Sequence, residues 1–260
     1  MKENMQNSDY EYYSGKRYKS SKEKGFSIKF FLLLVILSLA AFAVLASPIF
    51  LVKDIKVTGD LYKYTSEEVC AIAKIDENTN IFTVTKWKLT DNLKESPYIE
   101  SVEIKKELPS RVCINIVERR VRGYVPYMGS YLYIDESGRI LEVADFFTEA
   151  LPIVQGLEFK SFQLGEKINA DNAEALDVVV VISQIMTKYE LLDMIVTINV
   201  SDLNNIVARI NKVDVNLGTV SDCDEKIRTM AAIVREIPKD DIGTLDLSDL
   251  SKPLVFKYLT

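Results

Sequence analysis

The hydrophobic pattern begins with an uncharged run from residue 30 to residue 52. As a helix, a run of this length extends about 35 Å, enough to cross a hydrocarbon core of about 30 Å. Residues 1–29 carry seven Lys or Arg and four Asp or Glu. The positive-inside rule therefore predicts a cytoplasmic tail over 1–29, a transmembrane helix over 30–52 and an extracytoplasmic position for the rest of the chain.

The same run allows a second interpretation, which is a cleaved signal peptide. Val44, Leu45 and Ala46 resemble a processing site, and cleavage after Ala46 would release a soluble protein. However, the apolar region of a signal peptide is usually about 7 to 15 residues long, shorter than this run. The length of the run therefore favours an anchor.

After the run, residues 55–118 predict a strand, two helices and two strands in that order. Residues 55–59 alternate apolar and polar positions, which is typical of a strand. Thr65 and Glu68 have the spacing of a capping box, and a second helix over 85–95 ends before Pro97. Two period-2 segments complete a compact module, in which we expect the helices to cover one face of a three-stranded sheet.

The second predicted helix of this module contains the single tryptophan of the chain. Trp87, Leu89 and Leu93 are available for its buried face. We interpret Trp87 as a core residue that packs against the sheet. The alternative is that Trp87 contacts a partner.

Residues 131–258 predict a second, larger domain of mixed helices and strands. Two apolar segments around a turn that ends at Gly138 indicate a hairpin. Further strands are expected near 195–200, 206–210, 213–217, 244–247 and 254–258. Long apolar patterns without Gly or Pro predict helices over 171–189 and 222–236, the second ended by Pro238.

Composition excludes several classes of function. The chain has no His, so Ser-His-Asp and Cys-His catalysis and His-ligated zinc are impossible. Beyond residue 52, 25 basic and 34 acidic residues give a net charge of −9, which disfavours nucleic acid as a partner. The three cysteines form no C-x-x-C motif. We therefore predict no catalytic residues, no metal and no cofactor.

Several short motifs, taken in order, resemble the FtsQ/DivIB family of bacterial cell-division proteins. Val57-x-Gly59, Pro97-x-Ile99, Leu108-Pro109 and the strand ending in Glu118-Arg119 resemble its POTRA domain. The motifs that resemble its following β domain are Ile134-Asp135-x-x-Gly138, Leu151-Pro152, Gly165, Leu217-Gly218, Lys226 and Asp246-Leu247. The resemblance implies an α+β protein with a tail over 1–29, a transmembrane helix over 30–52, a POTRA-like domain over 53–121 and a β domain over 122–260.

The resemblance also implies a non-enzymatic scaffold of the divisome at the division septum. Its partners would be single-pass division proteins of the FtsL and FtsB/DivIC types, together with other septal cell-wall synthesis proteins. In the family the β domain supplies the binding edge, and Leu254, Val255, Phe256, Lys257 and Tyr258 are the corresponding candidates here. An unpaired terminal strand could accept a partner strand by β-augmentation. The alternative is that Leu254, Phe256 and Tyr258 close the core of the sheet.

Two other functions fit parts of the pattern. A membrane-anchored signalling or secretion-related POTRA protein would share the anchor and the first domain. An anchored cell-wall enzyme would need acid and base carboxylates, which the sequence does not single out.

Overall fold

The computed structural model describes residues 28–75 and 78–259 of the chain, so nearly all of the predicted cytoplasmic tail lies outside the described residues. The first element is helix α1, Ile28–Leu45, in which no residue is buried. Its 18 residues extend about 27 Å. Length and composition make α1 a candidate membrane span, although a signal sequence would meet the same criteria.

The C-terminal part of the predicted span folds with the domain that follows it. A short 3-10 helix occupies Pro48–Phe50, and Val52 is completely buried in the core of that domain. The Val52 amide donates a hydrogen bond to the Thr79 carbonyl (2.9 Å), and the Ile81 amide donates to the Phe50 carbonyl (2.7 Å). The helix is thus shorter than the expected 30–52. The sequence does not mark its end, because residues that contact lipid and residues that pack in a protein core are both apolar.

The first domain has the predicted order of elements. It consists of β1 Asp54–Asp60, α2 Ser66–Ala73, α3 Lys86–Lys94, β2 Ile99–Glu107 and β3 Arg111–Glu118. Its three-stranded sheet has the order β1-β3-β2, with β1 parallel and β2 antiparallel to β3. The predicted period-2 face of β3, formed by Val112, Ile114 and Ile116, is fully buried with α2 and α3.

A helix cap and a glycine determine the local structure of α2 and β1. The predicted capping box is confirmed: Thr65 is the N-cap of α2, its hydroxyl accepts from the Glu68 amide, and the Glu68 carboxylate accepts from the Thr65 amide. Gly59 has a φ of +124°, and a Cβ there would overlap the Ile116 carbonyl of the neighbouring strand. Glycine is therefore required where β1 lies against β3.

Trp87 does not pack in the core, so that prediction was wrong. Its exposed fraction is 72%, whereas Leu89 and Leu93 are buried. Residues two positions apart on a helix point about 200° away from each other. Because Leu89 points into the core, Trp87 points to the surface.

The second domain is built on one nine-stranded sheet, here called the large sheet. Its strands are β4 Gly123–Tyr127, β5 Ser130–Ile134, β6 Ile140–Ala144, β7 Ile153–Gln155, β8 Ile195–Asn199, β9 Ile206–Ile210, β10 Val213–Gly218, β11 Gly243–Asp246 and β12 Phe256–Tyr258. Their spatial order is β12-β11-β10-β9-β8-β7-β4-β5-β6. Helices α4, Ala173–Lys188, and α5, Cys223–Val234, supply much of its main core. The α+β fold class is confirmed.

Tyrosine side chains join the first domain to the second. Tyr98, Tyr124 and Tyr133 are buried in one cluster, together with apolar residues of the second domain. The Tyr98 hydroxyl and the Lys63 ammonium each donate to the Glu142 carboxylate (2.6 Å in both cases). The junction therefore combines an apolar centre with an ion pair and a charge-assisted hydrogen bond.

Candidate partner-binding edge

The β6 edge of the large sheet is covered. The Ile140 amide donates to the Glu166 carbonyl (2.9 Å), the Gly165 amide donates to the Ile140 carbonyl (2.8 Å), and Arg139 forms a bridge with Lys167. Farther along β6, the Glu142 side chain is held by the first domain. Backbone pairing and the domain junction thus shield this edge from another strand.

The opposite edge is β12, and it differs in its surroundings. β12 pairs antiparallel with β11 over three positions, Gly243 with Tyr258, Thr244 with Lys257 and Leu245 with Phe256. Across residues 28–75 and 78–259, no strand pairs with its outer side. β12 therefore presents one backbone edge to solvent.

The hydrogen-bond register shows which backbone groups face outward. The Leu259 amide donates to the Ile242 carbonyl (2.9 Å), just beyond the last residue of β12. In an antiparallel ladder, successive residues point their amides and carbonyls alternately toward and away from the neighbouring strand. Lys257 therefore faces β11 like Leu259, and the amides and carbonyls of Phe256 and Tyr258 face outward.

Two aromatic side chains lie on the helix-facing side of β12. Phe256 is partly buried and packs against the main core. Tyr258 is 68% exposed, and its ring meets that of Phe256 edge to face with a centroid distance of 4.7 Å. Closure of the core thus accounts for Phe256, whereas Tyr258 extends over the surface.

The other side of β12 borders a shallow groove with a volume of about 380 Å³. Val255 and Lys257 line it from the edge, and Asp214 and Asp246 line it from β10 and β11. Hydrogen bonds from Ser248 hold the pKa of Asp246 below its usual range. Asp246 therefore keeps a negative charge in the groove with the Lys257 ammonium at neutral pH, whereas Asp214 is paired with Arg209 (2.6 Å).

Gly243 allows β12 to lie against β11. A Cβ at this position would overlap the Phe256 ring and would lie 2.7 Å from the Lys257 carbonyl oxygen. This requirement involves residues far apart in sequence, so the sequence pattern alone did not indicate it. Gly243 is the positioning residue that sequence reasoning missed.

The structure places the five predicted residues in one segment, but the strand is shorter than predicted and contains only three of them. Phe256, Lys257 and Tyr258 form β12, whereas Leu254 and Val255 precede it outside any helix or strand. Leu254 and Val255 are both exposed. A partner role for these five residues stays a prediction.

The described residues offer little for metal or thiol chemistry. They contain no cluster of three or more His, Cys, Asp or Glu that could hold a metal ion. Burial raises the pKa of the Cys223 thiol to about 11, and burial also raises the pKa of Cys70 and of Cys113. These thiols remain protonated at neutral pH, which makes them poor nucleophiles.

Comparison with known proteins identifies the family. A model described as "POTRA domain, FtsQ-type" matches residues 50–119, and a model described as "FtsQ/DivIB, C-terminal related" matches residues 125–244. The chain belongs to the FtsQ/DivIB family. This membership confirms the family resemblance and gives the protein a role in bacterial cell division.

Curated relatives of this FtsQ/DivIB protein extend over most of its length. The cell division protein DivIB of Clostridium tetani is 26% identical over 215 residues, which cover 80% of each chain. DivIB of Clostridium botulinum is 25% identical over 229 residues, 86% of this chain and 89% of the relative. DivIB of Clostridium acetobutylicum is 27% identical over 209 residues, 80% and 83% of the two chains. The match to the C-terminal family model ends before β12.

Proposed function

We propose that this FtsQ/DivIB protein is a non-enzymatic scaffold that binds FtsL-type and FtsB/DivIC-type division proteins at the septum. Helix α1 crosses the cell membrane with its N-terminus in the cytoplasm, so both folded domains lie outside. The domain limits of 53–121 and 122–260 form part of this proposal. Septal cell-wall synthesis proteins join the same assembly through these partners.

The open β12 edge is the observation that supports binding most directly. Its outward amides and carbonyls, at Phe256 and Tyr258, can continue an antiparallel or parallel ladder with an incoming strand. The partner would gain main-chain hydrogen bonds from this edge. Tyr258 on one side and Lys257 with its adjoining groove on the other would supply side-chain specificity.

The chemistry of the chain supports scaffolding over catalysis. General acid and base work and nucleophilic attack need groups with suitable pKa values that lie close together. The sequence has no His, and the pKa values of the described thiols are raised. Binding through a sheet edge needs none of these groups.

The test separates side-chain contact from closure of the core. Phe256→Ala and Tyr258→Ala are compared in the full-length protein for capture of FtsL-type and FtsB/DivIC-type partners and for thermal stability. We expect Tyr258→Ala to weaken capture with little change in melting temperature, because Tyr258 is exposed. Lost stability with unchanged capture in both variants would refute the edge proposal.

Imaging tests the cellular part of the proposal. A fluorescent fusion of the full chain should form a band at midcell, and the Tyr258→Ala fusion should reach the membrane without the same septal enrichment. Resistance to carbonate washing tests the anchor by itself. A wild-type fusion spread evenly over the membrane would contradict septal assembly.

A further inference from the structure

One end of the first domain has a surface that scaffolding through β12 does not use. We call it the entry end, because the chain enters β1 there. It comprises the 3-10 helix Pro48–Phe50, the segment 79–85, the first turn of α3 and the turn at 108–110 between β2 and β3.

Strand pairing places these segments together. Lys53 donates its amide to the Ser110 carbonyl (2.9 Å), which joins the start of β1 to the β2–β3 turn. Leu51 bridges Asn80, which brings segment 79–85 to the same place. The start of β2 pairs with the end of β3, Ile99 with Glu118, so α3 leads away from the entry end and its first turn lies there.

Four large apolar side chains are exposed at the entry end. They are Ile49, Phe82, Trp87 and Leu108, with exposed fractions of 59%, 46%, 72% and 62%. Phe82 also contacts the partly buried Phe50, with ring centroids 5.0 Å apart. Several large apolar side chains exposed at one end of a domain are typical of a binding site for protein or membrane.

The entry end is also basic, although the chain beyond residue 52 has a net charge of −9. Lys53, Lys86 and Lys88 are exposed, and none of them lies within 4 Å of a carboxylate in the described part of the chain. The nearby carboxylates of Asp54 and Glu107 are occupied by Arg111 (2.5 and 3.4 Å). Burial, and to a smaller extent the positive charge of Lys86, lowers the pKa of Lys106.

Chain connectivity limits what can lie opposite this surface. Two residues, Ala46 and Ser47, separate the end of α1 at Leu45 from the 3-10 helix. Two to three extended residues reach about 10 Å at most. If α1 crosses the membrane, Pro48 at the start of the entry end therefore lies within about this distance of the end of the span.

We propose that the entry end docks on the surface of the membrane that α1 crosses, with Trp87 at headgroup depth and the lysines on anionic lipid. This inference rests on the proposed anchoring of α1. Tryptophan is enriched at membrane interfaces because its ring is amphipathic. Lysine side chains are attracted to the negative headgroups of an anionic membrane surface.

Trp87 permits a direct measurement, because it is the single tryptophan of the chain. The full-length protein is reconstituted in vesicles of phosphatidylglycerol and phosphatidylethanolamine, and in vesicles of phosphatidylcholine alone. A spin label near the headgroup end of the lipid chain reports contact by quenching Trp87 fluorescence. We expect blue-shifted emission and strong quenching in the anionic vesicles, and weaker quenching in the neutral ones.

Matched variants test the charged groups. The triple change K53Q/K86Q/K88Q should reduce quenching several-fold in anionic vesicles, whereas K160Q/K167Q/K239Q, three exposed lysines of the second domain, should leave it unchanged. All six positions are exposed, so both variants should fold. Equal quenching in the two triple variants would overturn the role assigned to the lysines.

Flotation of the vesicles separates this proposal from the anchor. Protein that does not float would refute the anchoring of α1. Protein that floats while Trp87 keeps water-exposed emission would refute docking and leave the anchor intact. Protection of Trp87 that needs co-reconstituted FtsL-type partner would assign the surface to protein and would also overturn the lipid proposal.

Discussion

The large sheet has one edge that the rest of the molecule covers and one edge that stays open. β6 is shielded by segment 165–168 and by the Lys63 and Tyr98 contacts of the first domain. β12 has Phe256 packed on the core but leaves an outer row of backbone groups in solvent. Because a bare edge invites pairing with other chains, the fold protects one edge and leaves the other available.

This difference indicates where the molecule can tolerate a partner without rearrangement. A strand added at β6 would have to displace the domain junction, which includes three buried tyrosines. A strand added at β12 would meet no other strand within the described residues.

Gly243→Ala should cause the largest loss of partner capture. The added Cβ would overlap the Phe256 ring and approach the Lys257 carbonyl, so β12 could not keep its place beside β11. Capture of FtsB/DivIC-type partner should fall by about tenfold or more, a change of about 1.4 kcal/mol.

Gly129→Ala is the control for this change, since its Cβ would meet no atom within 4 Å, although its φ of +90° makes alanine unfavourable there. Normal capture by Gly243→Ala would show that the docked β12 is not the binding strand.

Tyr258→Pro should block the edge while leaving the β11–β12 ladder in place. The Tyr258 amide faces outward, so proline removes a donor that only a partner strand would use. Capture should fall further than in Tyr258→Ala, and the melting temperature should match that of Tyr258→Ala. Equal capture by the two variants would mean that the partner uses side chains and not backbone pairing.

Glu142→Ala should destabilise the domain junction at the β6 edge and leave partner capture unchanged. The change removes the acceptor of Tyr98 and Lys63 and leaves a hydroxyl at a buried residue without its partner. We expect a loss of about 1 to 3 kcal/mol in the free energy of unfolding, measured by denaturant titration. Glu142→Gln keeps an acceptor for Tyr98, so its free energy of unfolding should fall less. A loss of binding free energy for the partner that exceeds the loss of unfolding free energy would contradict the assignment of the two edges.

Acid should produce the smallest effect, and it should act on the same junction. Burial alone would raise the pKa of Glu142, but hydrogen bonds from Lys63 and Tyr98 outweigh it and lower the pKa. A lowered carboxyl pKa stabilises the fold above the unfolded-state value of about 4 and loses this contribution as pH falls through the folded-state value. The difference in melting temperature between wild type and Glu142→Gln should therefore narrow below about pH 4, and a constant difference would exclude the ionised Glu142 as its source.

Local patterns predicted much of the fold. The capping box at Thr65 and Glu68 involves neighbours in sequence, and the period-2 face of β3 appears directly in Val112, Ile114 and Ile116. The pattern of β4, Gly123–Tyr127, is weaker, because Pro126 interrupts it, and this strand was not predicted.

Other features depended on contacts that the sequence does not display. Val52 is apolar whether it meets lipid or a protein core, so the end of the predicted span was placed too late. The exposed position of Trp87 follows from its spacing of two helical residues to the buried Leu89, so this feature is present in the sequence itself. Gly243 and the Tyr98–Glu142 bond involve residues 13 and 44 positions apart, which only the folded chain brings together.

The attachment of β12 through three residue pairs has a consequence for local motion. Short terminal strands open at a small free-energy cost compared with the global unfolding of the domain. A ligand that binds only the closed form shifts this opening equilibrium by mass action, by an amount set by its concentration. Amide hydrogen exchange at β12 should therefore slow in proportion to partner occupancy, while exchange in the central strands stays as it was.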